Sequence, residues 1–147
     1  MNSSRDFELL AVTIQVDGHP DIPVPLAQDG PDDQARERWA RPTTVSLREG
    51  AEFRVRLDFS VRARHDVDGL KFIDERTREG VTMGHRETHL GDYRPGGPYE
   101  VVLPPEHLPT GHLARCTYEC TGTFVDGAGQ ELGRVTHALE ITKDWPQ

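Results

Sequence analysis

Seven histidines and two cysteines carry the widest chemical repertoire in this 147-residue chain. His85 and His89 stand four residues apart, while His107 and His112 sit near turn-forming segments. A zinc site would show an HExxH pair, or cysteines and histidines at paired spacings. Neither pattern is present. The histidines read as solvent-facing, and no metal ligand is assigned. Cys116 and Cys120, placed in one strand, face the same side about 13 Å apart, whereas a disulfide needs Cα atoms within about 7 Å. Two free thiols and a reducing cytoplasm are therefore expected. Cys116 with a histidine would make a nucleophile pair, but nothing nearby lowers a thiol pKa, and no nucleophile elbow is seen. The glycine-rich GDYRPGGP lacks the lysine and following helix of a phosphate loop. Asp32 and Asp33 lie in the polar stretch QDGPDDQARERWARP and read as solvated charge. No catalytic residue and no cofactor is assigned, and the residues favour a binding module over an enzyme.

Composition narrows the partners. A formal net charge of -8 argues against nucleic acid, whose binders present a basic face, and against broad attraction to anionic membranes. No run of 18 apolar residues exists, so no stable membrane insertion is expected. MNSSRDFELL shows no basic region followed by an apolar core, and the chain ends KDWPQ without a lipidation signal. The cytoplasm is the expected location. Apolar residues make up 35% and aromatics 7%, enough for one core, so residues 1–147 are expected to form one domain.

Strands must position whatever chemistry exists. ELLAVTIQV (8–16) reads as a first strand, with Leu10, Val12, Ile14 and Val16 on one face. The prolines of IPVPL confine it to an edge. TTVSL, the turn REG and AEFRVRLDFSVRA follow as strand, turn, strand. In FRVRLDFSV, Phe53, Val55, Leu57, Phe59 and Val61 alternate with polar residues, the strongest period-two signal in the chain. DGLKFIDERTREGVTM reads as a hairpin with Leu70, Phe72 and Val81 as core candidates. HLGDYRPGGPYEVVLPPEHLPTG reads as a short edge run between turns. LARCTYECTGTFVD, the turn DGAGQ and RVTHALEITKDW give a final hairpin, with Val135, His137, Leu139 and Ile141 on one face. Eight or nine short strands and almost no helix define an all-β, two-sheet antiparallel sandwich.

Two apolar rows then face each other across the sandwich. YECTGTF places the small Cys120 and Gly122 between Tyr118 and Phe124, which leaves room for a flexible apolar ligand between the sheets. Against this, Phe53, Phe59 and Phe72 are large enough to fill the space. The residues alone leave both readings open.

The segments VSLREGAEFRVRLDFSV, DGLKFIDERTREGV, HLGDYRPGGPYEVVLPPEHLPTGHLAR, YECTGTFVD and ITKDW resemble, in order and spacing, the C-terminal immunoglobulin-like domain of the Rho GDP-dissociation inhibitor family. The resemblance runs from about Val45 to Trp145, with a weaker match over Leu10 to Val16. It implies an immunoglobulin-like sandwich that takes the geranylgeranyl tail of a Rho-type GTPase between its sheets. Such a protein extracts the lipidated GTPase from membranes and slows its loss of GDP. Carried over residue by residue, Phe53, Val55, Leu57 and Phe59 fall on the family's core strand. Leu70, Phe72 and Ile73 match its GMKYI segment, Tyr93 and Pro95 its SYGP turn. Tyr118, Cys120 and Phe124 lie on the strand that helps to enclose the lipid. Ile141, Lys143, Asp144 and Trp145 match the terminal IKKDW. The lipid-binding residues implied are Leu57, Leu70, Tyr118, Cys120, Leu139 and Ile141. Asp126 falls in the acidic turn that lies near the GTPase. The expected partner is a prenylated small GTPase or another isoprenoid-bearing molecule. The alternative is a protein-interaction domain with a closed, fully packed core and no lipid ligand.

Two departures from the family pattern stand out. Few residues precede the first strand, so the family's N-terminal regulatory arm is expected to be missing, which leaves open whether GDP-dissociation inhibition survives. Val135 and His137 replace two tryptophans of the last strand, which is expected to enlarge the cleft or move its mouth.

Overall fold

The computed structural model describes residues 7–25, 44–62, 64 and 66–145. The polar stretch with Asp32 and Asp33 lies outside the described residues. Ten strands follow in chain order: β1 (Phe7–Val16), β2 (Ile22–Val24), β3 (Thr44–Arg48), β4 (Glu52–Val61), β5 (Val67–Arg78), β6 (Val81–Tyr93), β7 (Gly96–Val102), β8 (Glu106–His107), β9 (Thr117–Val125) and β10 (Glu131–Thr142). One sheet has the order β2-β1-β4-β7, with β8 paired to the start of β4. The other has the order β3-β10-β9-β5-β6. Apolar rows from both sheets meet in one core that includes Leu47, Leu57, Phe59, Leu70, Phe124 and Leu139. The two-sheet sandwich expected from the strand pattern, and immunoglobulin-like by the family resemblance, is the observed architecture, with ten strands among the described residues where eight or nine were expected.

Several details differ from the sequence reading, each for a physical reason. Pairing is antiparallel except between β3 and β10, which run parallel. This follows from the REG turn, where β3 and β4 leave for opposite sheets instead of forming a hairpin. Gly50 supplies the positive φ (74°) that this turn requires. Leu10 is 42% exposed because a register shift between Leu9 and Ala11 switches the inward parity of β1. Phe7, Val12 and Ile14 are the buried residues of that strand. Val81 is 62% exposed at the tip of the β5–β6 hairpin, so it is not core. The supposed short edge run is two substantial strands. β6 closes one sheet and β7 borders the other, so this segment crosses the sandwich.

The core is not uniform along its length. At the end where β1 begins, Phe7 stacks on Phe59 with ring centroids 5.2 Å apart and meets Phe124 at 4.8 Å. Tyr93 sets its edge against Phe59 at 5.0 Å. Interlocked aromatic rings make this end solid. The opposite end holds the cleft, to which β1, β2 and β3 bring the aliphatic Val12, Ile14, Val24 and Leu47.

Candidate inter-sheet binding site

The site is built from the inner faces of β5, β9 and β10 on one sheet and of β1, β2 and β4 on the other. Period-two alternation sends Leu70 and Phe72 of β5 into the core, and the same alternation turns Asp74 and Arg76 inward. Their register is fixed by β9: Phe72 stands opposite Phe124, Asp74 opposite Gly122 and Arg76 opposite Cys120. On the far side of β9, Val135 pairs with Gly122, His137 with Cys120 and Leu139 with Tyr118. A polar row, His137–Cys120–Arg76, therefore crosses the sheet beside an apolar one. Facing it are Val12, Ile14, Val24, Phe53 and Val55, with Glu106 of β8 at the rim.

The cleft between these faces is nearly closed, with a volume of ≈ 40 Å³. A space of that size takes a water-sized group, whereas ligand pockets usually reach about 300–1,000 Å³. The small residues on β9 do not leave the room the sequence suggested. A Cβ on Gly122 would stand 2.6 Å from Phe72 Cε1 and 3.2 Å from Val135 Cγ1. Gly122 is the floor on which the Phe72 ring lies. A second, open concavity of ≈ 360 Å³ lies at the β2–β3 edge, lined by Ile22, Pro23, Val45 and Trp145 among others. There His19 stacks on Trp145 at 4.2 Å.

Electrostatics at the cleft follow from burial. Arg76 Nη2 reaches Glu106 Oε1 at 3.3 Å, an ion pair that ties the two sheets together at the rim. Burial pushes the Asp74 carboxyl above its ordinary range, an effect Arg76 opposes. Burial, and then the Arg76 charge, lowers His137 to about 4. Burial raises the Cys120 thiol to about 11. At neutral pH the imidazole is thus neutral and the thiol protonated. The neighbouring Cys120 and His137 do not form an activated nucleophile pair, which requires a thiolate. No group of three or more metal-ligating side chains gathers among the described residues.

The lipid-site residues implied by the family pattern divide in two. Cys120 and Leu139 line the cleft. Leu57, Leu70, Tyr118 and Ile141 are buried in the surrounding core, outside the cavity wall. The Tyr118 hydroxyl donates to the Ala114 carbonyl at 3.2 Å. Asp126 sits apart, in the β9–β10 turn, where its Oδ1 accepts from the backbone N–H of Ala128 (3.0 Å) and Gln130 (2.9 Å). Sequence reasoning missed Asp74, Arg76 and Glu106; it read the histidines as a group as solvent-facing but set His137 on one face with Val135 and Leu139, and all three line the cleft. The signal was available for β5: counting by twos from Leu70 and Phe72 reaches Asp74 and Arg76.

Fold and site together define a β-sandwich with a small cleft between its two sheets. The sequence profile described as RHO protein GDP dissociation inhibitor matches residues 2–144, and the chain belongs to that family. Among its relatives, Rho GDP-dissociation inhibitor of Schizosaccharomyces pombe is 30% identical over 98% of this chain and 68% of its own length. Rho GDP-dissociation inhibitor 1 of Homo sapiens is 35% identical over 67% of this chain, and that of Arabidopsis thaliana 27% identical over 88%. The matches span 48% and 50% of those two proteins. Family members are non-enzymatic, cytoplasmic binding proteins, in keeping with the expected role and compartment. Among solved structures, a Bacteroides uniformis beta-glucuronidase superposes with a TM-score of 0.55 at 11% identity, covering 92% of this chain and 14% of the other. That likeness is one of fold alone.

Proposed function

We propose that this chain holds an isoprenyl group of geranylgeranyl type, carried by a prenylated small GTPase, between its two sheets. The observation that carries the reading is the apolar inter-sheet cleft, lined by Val12, Ile14, Val24, Leu47, Phe53 and Leu139, in a chain of this family. Burying a methylene is worth about 0.8 kcal/mol, and a single lipid chain anchors a protein to a membrane only reversibly. A protein cleft of sufficient length competes with the bilayer on those terms.

The cleft measures ≈ 40 Å³, far less than a C20 chain occupies. Uptake requires the sheets to part at the aliphatic end, where few aromatic contacts hold them. Cys120 and Leu139 then meet the chain first, and Leu57, Leu70, Tyr118 and Ile141 form the deeper wall. On this reading Asp126 faces the GTPase. The closed cleft also supports a second reading, a protein-interaction domain whose core has filled itself. An extraction assay separates them. Vesicles carrying a geranylgeranylated small GTPase are incubated with the chain and sedimented. The lipid reading predicts stoichiometric transfer of the GTPase to the supernatant and none with a mock protein. Equal binding of unprenylated GTPase, with no transfer, favours the second reading.

A further inference from the structure

The cleft carries polar groups that a hydrocarbon ligand leaves unused. Arg76 Nε and His137 Nδ1 are buried, and neither has a hydrogen-bond partner among the described residues. Both residues line the same cavity and flank Cys120 in one row across β5, β9 and β10. Buried polar atoms without partners are uncommon, because each forfeits its hydration with nothing in return. Arg76 Nη2 is engaged by Glu106, but Nε–H remains a donor with no acceptor.

The charges around this row restrict what satisfies it. Arg76 is flanked by Asp74 and Glu106, so its positive charge is already matched. A carboxylate or phosphate entering here stands beside the Asp74 and Glu106 carboxyl groups as well as Arg76. A neutral oxygen meets no such penalty. It accepts from Arg76 Nε–H, and the neutral His137 Nδ1 donates to it or accepts from it according to tautomer. A cavity of ≈ 40 Å³ admits one such group without rearrangement.

Resting on the reading of the cleft as an isoprenyl pocket, we propose that its ligand is an isoprenoid bearing a neutral oxygen group, a hydroxyl or a carbonyl, held by Arg76 and His137. The hydroxyl belongs to a free isoprenoid alcohol. The carbonyl belongs to the backbone beside a prenylated cysteine. The test compares four probes delivered from cyclodextrin to the full chain: geranylgeraniol, N-acetyl-S-geranylgeranyl-cysteine methyl ester, geranylgeranoic acid, and a saturated C20 isoprenoid hydrocarbon. At least one of the two neutral oxygen ligands is expected to bind about tenfold more tightly than the hydrocarbon, the worth of one or two net hydrogen bonds. Whichever is tighter identifies free lipid or lipidated chain end. The acid is expected to bind more weakly than the alcohol at pH 7. Arg76→Met and His137→Leu should each erase the oxygen preference, read within each variant as the ratio of oxygen-ligand to hydrocarbon affinity. Nitrogen-15 spectra of the histidine rings in the unsubstituted chain give a second readout. His137 should shift with the favoured oxygen ligand and stay put with the hydrocarbon. Equal affinity for oxygen ligands and hydrocarbon, or tighter binding of the acid, overturns the proposal and leaves the isoprenyl pocket standing. Failure of all four probes to bind overturns both.

Discussion

Gly122 sets how closely the Phe72 ring settles on β9. Its lack of a side chain is a packing requirement, since a Cβ would meet Phe72 and Val135 at once. Gly122→Ala is therefore expected to destabilise the chain by about 2 kcal/mol, within the range for overpacked cores. The same change in a Phe72→Ala background should cost much less, and urea denaturation of the four variants measures the coupling. His137 gives a pH signature. Its folded pKa, about 4, lies below the ordinary histidine value, so the unfolded chain binds more protons between about pH 6.5 and 4. Stability contributed by the neutral ring is present above that window and is lost as pH falls through it. Between pH 7 and 4.5 the chain should lose about 2 kcal/mol more than His137→Phe does. Asp74, raised by burial, pulls the other way in both proteins, so the difference isolates His137. Equal losses would contradict the buried-ring account.

Strands were easier to read than their pairings. FRVRLDFSV alternates without a break, and β4 is buried on the predicted face at Phe53, Leu57, Phe59 and Val61. β1 was misread because a one-residue bulge leaves no mark in composition yet reverses parity, carrying Leu10 outward. The parallel β3–β10 pair was invisible because sheet membership depends on which way the chain leaves the REG turn. The polar half of the site was hidden by a habit of sorting charge to the surface. Asp74 and Arg76 lie inward because β5 keeps its alternation beyond Phe72. At the β9–β10 turn, Asp126 spends one carboxylate oxygen on two backbone N–H groups. Asp126→Ala should cost about 1 kcal/mol of stability, and Asp126→Asn, which keeps an acceptor, far less. If the asparagine variant also loses affinity for a GTPase, the charge itself reads the partner. If only the alanine variant does, the residue shapes the turn.

Across the whole molecule, two ends of one sandwich do different work. Rings of Phe7, Phe59, Phe124 and Tyr93 lock the sheets at one end. At the other, mostly aliphatic side chains surround a small cavity, and the Arg76–Glu106 ion pair joins the sheets at its rim. The proposed uptake requires one end to part while the other stays folded. The family was legible in the order of its segments, and the sandwich in the alternation. Whether the cleft is open was not legible, because it turns on how one ring packs over one glycine. The account therefore stands on the cleft accepting a chain many times larger than its resting volume. The most direct measurement is native mass spectrometry of the chain with geranylgeranyl-cysteine, paired with a thermal melt of the same sample. We expect a one-to-one adduct and, at a hundred times the dissociation constant, about 2.7 kcal/mol of added stability, a shift of roughly 8 °C for a chain this size. No adduct and an unmoved melt would show that the core has closed on itself for good, and would contradict the account.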